Sequence, residues 1–183
     1  MSFAFLPNLV SADSVEPVLT EAIISQSVKS IVKAHNNPNE AIIADSGYKD
    51  KDGTKIFYYI LPPTVSASGN NNEFSIQSVT PISSHTIPQG VRLLYSQSNG
   101  NPWTVTTNQV VGMSFTTNQS SATWMEWGHI NTDTGADVWL NSGNANPGTG
   151  GYSYSGLASA THIRFFIKNG SASNVIVSGS IVF

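Results

Sequence analysis

From Ala41 to the last residues, apolar and polar side chains alternate in short runs. Period two sends successive side chains to opposite faces of a strand, so each run is read as one strand. Three runs lie between Val110 and Leu140. Val111, Met113 and Phe115 alternate with Gly112 and Ser114; Thr123, Met125 and Trp127 oppose Trp124 and Glu126; Val138 and Leu140 flank Trp139. Residues 117–121 and 131–135 between them are turn formers. The pattern predicts a meander of three antiparallel strands with tryptophans on both faces.

The same reading extends along the chain. Ala41–Ala44 and Lys55–Leu61 flank a loop ending in Asp52-Gly53, a hairpin signal. Phe74, Ile76 and Ser78 alternate as far as Pro81, which is read as a break. Val91, Leu93 and Tyr95, then Trp103, Val105 and Thr107, then Tyr152 and Tyr154 mark further strands. Ile163–Ile167 and Val175–Ile181 look like a terminal hairpin around Asn169-Gly170. Residues 141–151, rich in Gly, Asn and Pro, read as a long connecting loop. About ten strands at this spacing predict an all-β fold, an antiparallel β-sandwich. We expect one domain over 1–183, with residues 1–37 forming an arm and a helix.

The first segment breaks the β pattern. Met1–Leu9 is apolar and reads as an edge strand or an arm. Asp13 or Ser14 can cap a helix whose first turn accommodates Pro17. Val15, Val18, Leu19, Ala22 and Ile23 share one helical face, while Ile24, Val28 and Ile31 fall on the opposite side. The expectation is a helix from Val15 to about Ser25. The alternatives are its extension to His35 or a strand at Val28–Val32.

Composition narrows the function. Only 10% of residues are charged, against roughly 25% in ordinary soluble proteins. Between Ile56 and Ile163 the charged residues are Glu73, Arg92, Glu126, Asp133 and Asp137. A surface of hydroxyls and amides suits an extracellular or self-associating protein, or a sugar binder. The net charge of −3 argues against nucleic acid, which needs a basic stripe. No cysteine is present, so disulfides and thiolate chemistry are excluded. The N-terminus lacks a basic lead and is interrupted by Pro7 and Asn8, unlike a secretory signal. The cysteine-free chain suits a reducing or an oxidising compartment, so the location is left open, with the cytoplasm and release without such a signal as the expectations.

Catalytic signatures are missing. His35, His85, His129 and His162 are scattered, and no zinc-protease, nucleophile-elbow or phosphate-loop motif occurs. Asp50-Lys51-Asp52-Gly53 matches part of a calcium loop, but Tyr48 and Tyr59 stand where ligands belong, so it is read as a turn. We expect no enzyme, no cofactor and no metal. The candidate ligand face is the strand Thr123–His129 with the loops 131–137 and 141–152. Trp124 and Glu126 share one face of that strand, an indole beside a carboxylate. Such a pair stacks on a sugar ring and accepts its hydroxyl protons. Pairing through the 131–135 turn would set Trp139 beside Trp124, completing a two-indole platform. Asp133 and Asp137 bracket that turn, and Tyr152 and Tyr154 follow the long loop. These seven residues are the candidate ligand-binding set. The competing reading buries Trp124 and Trp127 on the two sides of a packed sheet.

The segment 85–95, HTIPQGVRLLY, the aromatic middle and GYSYSG at 151–156, followed by a terminal hairpin, resemble the actinoporin-like proteins. That superfamily includes sea-anemone pore-forming cytolysins and fungal fruit-body lectins. The resemblance implies a sandwich that binds a lipid headgroup or a glycan, with an N-terminal helix that detaches to enter a membrane. The chain departs from the cytolysins in being acidic, and their tyrosine–tryptophan cluster for phosphocholine is not reproduced. No binding residue is therefore carried over. The expected function is a non-enzymatic protein recognising glycans or membrane surfaces, lectin-like or cytolysin-like, and forming a homo-oligomer. A structural or self-assembling coat, fibre or inclusion protein is the alternative.

Overall fold

The computed structural model describes residues 21–35, 39–63, 79–106, 109–134, 136–145, 150–154 and 161–183, with the backbone alone at 22, 136–140, 150–154 and 161. The expected N-terminal arm, the helix caps, Val15, Val18, Leu19, Phe74, Ile76 and Thr107 lie outside these residues. In chain order the elements are α1 (Glu21–Ala34), β1 (Ile42–Lys49), β2 (Lys55–Ile60), β3 (Val79–Ile87), β4 (Val91–Ser96), β5 (Trp103–Val105), β6 (Val111–Thr117), β7 (Thr123–Asn131), β8 (Ala136–Ala145), β9 (Gly150–Tyr154), β10 (Thr161–Asn169) and β11 (Val175–Val182).

The strands form two sheets, as the all-β sandwich requires. Sheet A runs β1-β2-β4-β10-β7-β8, and β5 lies beside β10 in line with β4. Sheet B runs β3-β11-β6-β9. Their facing sides close one core. Tyr59, Leu93, Tyr95, Trp103, Trp127 and Phe165 of sheet A meet Ile87, Val111, Met113, Phe115, Val177 and Ile181 of sheet B. Trp103 meets Phe165 edge-on, and Phe115 meets Trp127 in the same way.

Helix α1 lies on the outer side of sheet A. Ile24 and Val28 are buried against Ile56, Tyr58, Ile60, Leu94, Ile130 and Phe166. Each such side chain contributes about 1.5–3 kcal/mol when fully buried. The buried stripe is thus Ile24, Val28 and Ile31, the one the sequence reading set opposite the expected face, and Ile23 is only partly covered. The helix runs to Ala34, so the longer alternative holds and Val28–Val32 is not a strand. With a helix on one side and sheet B on the other, every residue of β4 is buried.

Four connections differ from expectation. The sandwich is not wholly antiparallel, because β2 and β4 pair in parallel from Lys55↔Val91 to Ile60↔Ser96. The chain leaves sheet A after β2, runs through β3 in sheet B and returns into β4, which restores its original direction. The three-stranded meander is also corrected: β7 and β8 form the expected hairpin, but β6 pairs with β11 and β9 in the other sheet. Likewise β10 and β11 are not a hairpin, since each is a central strand of a different sheet. Asn169 holds that crossing, donating from Nδ2 to Ile87 O at 3.0 Å and to Ser173 O at 2.8 Å. Finally, Pro81 does not break its strand. It lies inside β3 on the edge of sheet B, where a missing N–H on the outer side costs no ladder bond.

The supposed loop 141–151 is mostly strand. β8 continues to Ala145, pairing Asn141 with Trp127 and Ala145 with Thr123 across a bulge that leaves Leu140 unmatched. Asn, Ser and Gly are weak strand formers, but β8 is an edge strand of sheet A and the pairing with β7 supplies its backbone bonds.

One glycine is required by packing. A Cβ on Gly179 of β11 would run into Ser114 O and lie 2.7 Å from Phe115 Cα of β6. Gly179→Ala must push two central backbones apart and is expected to cost about 1–3 kcal/mol. A urea midpoint equal to wild type would show that the sheet relaxes freely.

Candidate functional site

β7 presents its side chains as period two predicts. Thr123, Met125 and Trp127 point into the core, whereas Trp124 and Glu126 point outward from sheet A. Trp124 is 45% exposed. The question left open by the sequence is therefore answered in two ways: Trp127 is core and Trp124 is surface. The indole of Trp124 is seated on the turn after β10. A Cβ on Gly170 would collide with its Cδ1 and come within 3.2 Å of Nε1, and Gly170 N donates to Trp124 O at 3.1 Å. A ring held in this way gives up little further freedom when a ligand stacks on it.

Around the indole the sheet supplies polar groups. Asn144 is directly opposite Trp124, and Ser142 is opposite Glu126. Paired residues on adjacent strands share a face about 5 Å apart. Glu126 Oε2 lies 3.2 Å from Lys168 Nζ of β10, at an angle that does not make a hydrogen bond. Asp52 and Asp50 stand 3.8 and 3.9 Å from the same ammonium. Arg92 of β4 is the cross-strand neighbour of Lys168, with its guanidinium over Phe166, and Lys51 lies between the two aspartates, so this surface carries charges of both signs. Glu126 is thus held by Lys168 as well as being half-buried, a partner that the sequence reading did not foresee. Period two along β10 carries the signal, since His162, Arg164, Phe166 and Lys168 share one face.

The other candidates lie elsewhere. Trp139 pairs with Gly128, and Asp137 with Ile130, so their backbones sit toward the far end of the hairpin from Trp124. Trp124 and Trp139 are not the cross-strand neighbours that the platform assumed, because Trp124 pairs with Asn144 once β8 extends past Leu140. The side chains of Trp139, Asp137, Tyr152 and Tyr154 lie outside the described residues. The backbones of Tyr152 and Tyr154 belong to β9, opposite Met113 and Val111 in sheet B, and so are not in the sheet that carries Trp124.

Asp133 has a different task. Its Oδ1 accepts from His162 Nδ1 at 2.8 Å and its Oδ2 from His162 N at 2.9 Å. A carboxylate cannot donate here, so the imidazole proton sits on Nδ1. The ring and main-chain bonds from His162 hold the Asp133 carboxyl below its ordinary pKa. Thr132 completes the clasp, donating from N and Oγ1 to His162 O at 2.7 Å each. Both oxygens of Asp133 are thus engaged by His162. Among the described residues no three His, Asp or Glu side chains gather as metal ligands.

No family model matches this chain, and no curated protein matches it. What it binds must follow from its side chains.

Proposed function

We propose that this protein is a non-enzymatic glycan-binding module whose contact centres on Trp124. The observation that carries the reading is the exposed indole seated on Gly170, with Asn144, Ser142 and Glu126 on the same face. An aromatic face with a few convergent amide, hydroxyl and carboxylate groups is the chemistry that recognises a sugar ring. Beside the indole the sheet offers an amide and a hydroxyl, Asn144 and Ser142, which suit a neutral sugar. Of the two modes the actinoporin-like resemblance implies, the lectin-like one is proposed. Freeing α1 for a membrane would uncover Ile56, Tyr58, Leu94 and Phe166, and among the described residues no helix is long and apolar enough to cross a bilayer.

The test is a glycan array probed with wild type and Trp124→Ala, beside equilibrium unfolding of both. Binding should fall at least about thirty-fold, the loss expected for an aromatic hot spot. Stability should fall by only about 1 kcal/mol, because half of the ring is already in water. Glycan binding unchanged by the substitution would overturn the platform, and leakage of neutral liposomes would return the membrane reading.

Self-assembly is the second reading, and sheet B favours it. None of β3, β6, β9 or β11 contains Asp, Glu, Lys or Arg. The outer side of the sheet shows Val79, Ile176, Ser114 and Thr116, with Ser178 partly exposed. Without charge, nothing there repels a second copy. Sedimentation that stays monomeric at high concentration would retire this reading.

A further inference from the structure

A cleft of about 340 Å³ lies on the outer side of sheet A, between the start of α1 and the turn after β7. Its volume is at the small end of the roughly 300–1,000 Å³ typical of small-molecule sites. It is separate from the Trp124 patch. His162 lines it, whereas Trp124 rests on Gly170, and these two residues bracket β10, roughly 25 Å apart at about 3.3 Å per residue.

The lining is polar, and much of it is fixed by the protein's own bonds. Thr104 of β5 pairs with His162 of β10, so their side chains stand next to each other on the floor. His162 is clamped through Nδ1 and N to Asp133, which leaves Nε2 as an acceptor, with the ring half exposed. Gln97 donates from Nε2 to Pro102 O at 2.5 Å, and Gly100 N donates to Gln97 O at 2.8 Å. That fixes one wall and sets the orientation of the Gln97 amide, whose side-chain oxygen is an acceptor. Asn101 completes the wall, and Glu21 and Ser25 stand opposite. Glu21 is neutralised by Arg164, whose Nη2 lies 2.8 Å from its Oε1. Among the described residues no Lys or Arg lines the cleft, so these supply phosphate, sulfate and carboxylate ligands with no counter-charge. Among the described residues no Trp, Tyr or Phe lines it.

We propose that this cleft is a second binding site, for an uncharged polyhydroxylated ring such as a pyranose, held by hydrogen bonds alone. Thr104 and the imidazole of His162 take adjacent ring hydroxyls, the first as donor or acceptor and the second as acceptor. Gln97 and Asn101 meet the hydroxyls on the opposite edge. The ligand class follows from this lining and not from Trp124, so either site can fail without the other. If both hold, the outer side of sheet A grips one polysaccharide at two points, and the second contact becomes intramolecular.

The experiment is amide chemical-shift mapping of the full chain with methyl glucoside, methyl galactoside, methyl mannoside and N-acetylglucosamine at millimolar concentration. At least one sugar should shift the amides of Thr104, Asn101, Asp133 and His162. Those shifts should persist in Trp124→Ala and vanish in Thr104→Arg, which fills the cleft from an exposed position. Thr104→Val removes one hydroxyl with almost no change of shape, and should weaken binding about three- to ten-fold. It keeps the test decisive if Thr104→Arg misfolds. The proposal is overturned if none of the four sugars shifts these amides, or if the shifts survive both Thr104 variants unchanged.

Discussion

Glu21→Ala is expected to destabilise the protein by about 3–5 kcal/mol, the cost of stranding a buried charge. The charge is that of Arg164, whose side chain is fully buried in the middle of β10. Its guanidinium donates from Nε to Glu21 Oε2 at 3.1 Å and from Nη2 to Glu21 Oε1 at 2.8 Å. Nη2 also reaches Gly100 O at 3.1 Å, and Nη1 donates to Ser96 Oγ. The fork thus ties the first residue of α1 to the centre of sheet A. Removing Glu21 leaves Ser96, Gly100 and Ser25, the last at 3.4 Å, to hold a full positive charge with no carboxylate beside it. The double variant Glu21→Ala/Arg164→Met should recover most of the loss, because replacing both partners removes the charge as well as its mate. Urea unfolding of the three variants measures this directly. A fall of under about 1 kcal/mol for Glu21→Ala would mean that water reaches the guanidinium.

Arg164 also shows where sequence reading stops. Period two places it on the same face as Phe166, but only the docking of α1 decides that this face is covered. The helix has two apolar stripes, and spacing alone cannot choose between Ile23 and Ile24 as the inward position. Face assignment succeeds where one side of a strand is plainly apolar: Met125 and Trp127 in β7, Ile163 and Ile167 in β10. The hairpins β1–β2 and β7–β8 were legible because Asp52-Gly53 and the 131–135 turn join strands of one sheet. The crossings after β3, β6 and β10 were not. A short polar loop looks the same whether it folds back within a sheet or steps to the layer opposite. At the site, the exposure of Trp124 depends on none of the described elements lying over that end of β7, a fact of packing that no local pattern contains.

Acid should destabilise the protein well above the range in which carboxylates titrate. His129 is fully buried on the inner side of β7 beside Phe165, and burial pushes its pKa from 6.5 down to about 4. In the unfolded chain the ring takes a proton near its ordinary 6.5. Between pH 6.5 and about 4 the unfolded state therefore binds more protons, and stability falls as pH falls. At about 1.4 kcal/mol per pKa unit the loss approaches roughly 3 kcal/mol. His85 acts in the same direction. Its pKa is lowered by burial and partly restored by the bond of Nδ1 to Ser83 O at 2.7 Å. Asp133 contributes only below its ordinary 3.8, and weakly, because it is exposed. His129→Gln should flatten the stability profile between pH 6.5 and 4 even if it lowers the whole curve. A slope identical to wild type would assign the acid sensitivity to other groups.

The position of β10 and β11 bears on how the chain is made. They are the last two strands in order, yet β10 is bordered by β4, β5 and β7, and β11 by β3 and β6. A ribosome delivers the N-terminal strands first, at about 5–20 residues per second. Until residues 161–183 leave the exit tunnel, β4, β5 and β7 lack their shared neighbour in one layer, and β3 and β6 lack theirs in the other. Five strands, β3, β4, β5, β6 and β7, must wait with an edge unsatisfied for the two that close both layers. Long-range closure of this kind is slow, and it exposes the nascent chain to wrong pairings with other copies of itself. The uncharged strands of sheet B carry that hazard most, so yield in cells should depend on chaperone capacity more than the stability of the finished fold would suggest.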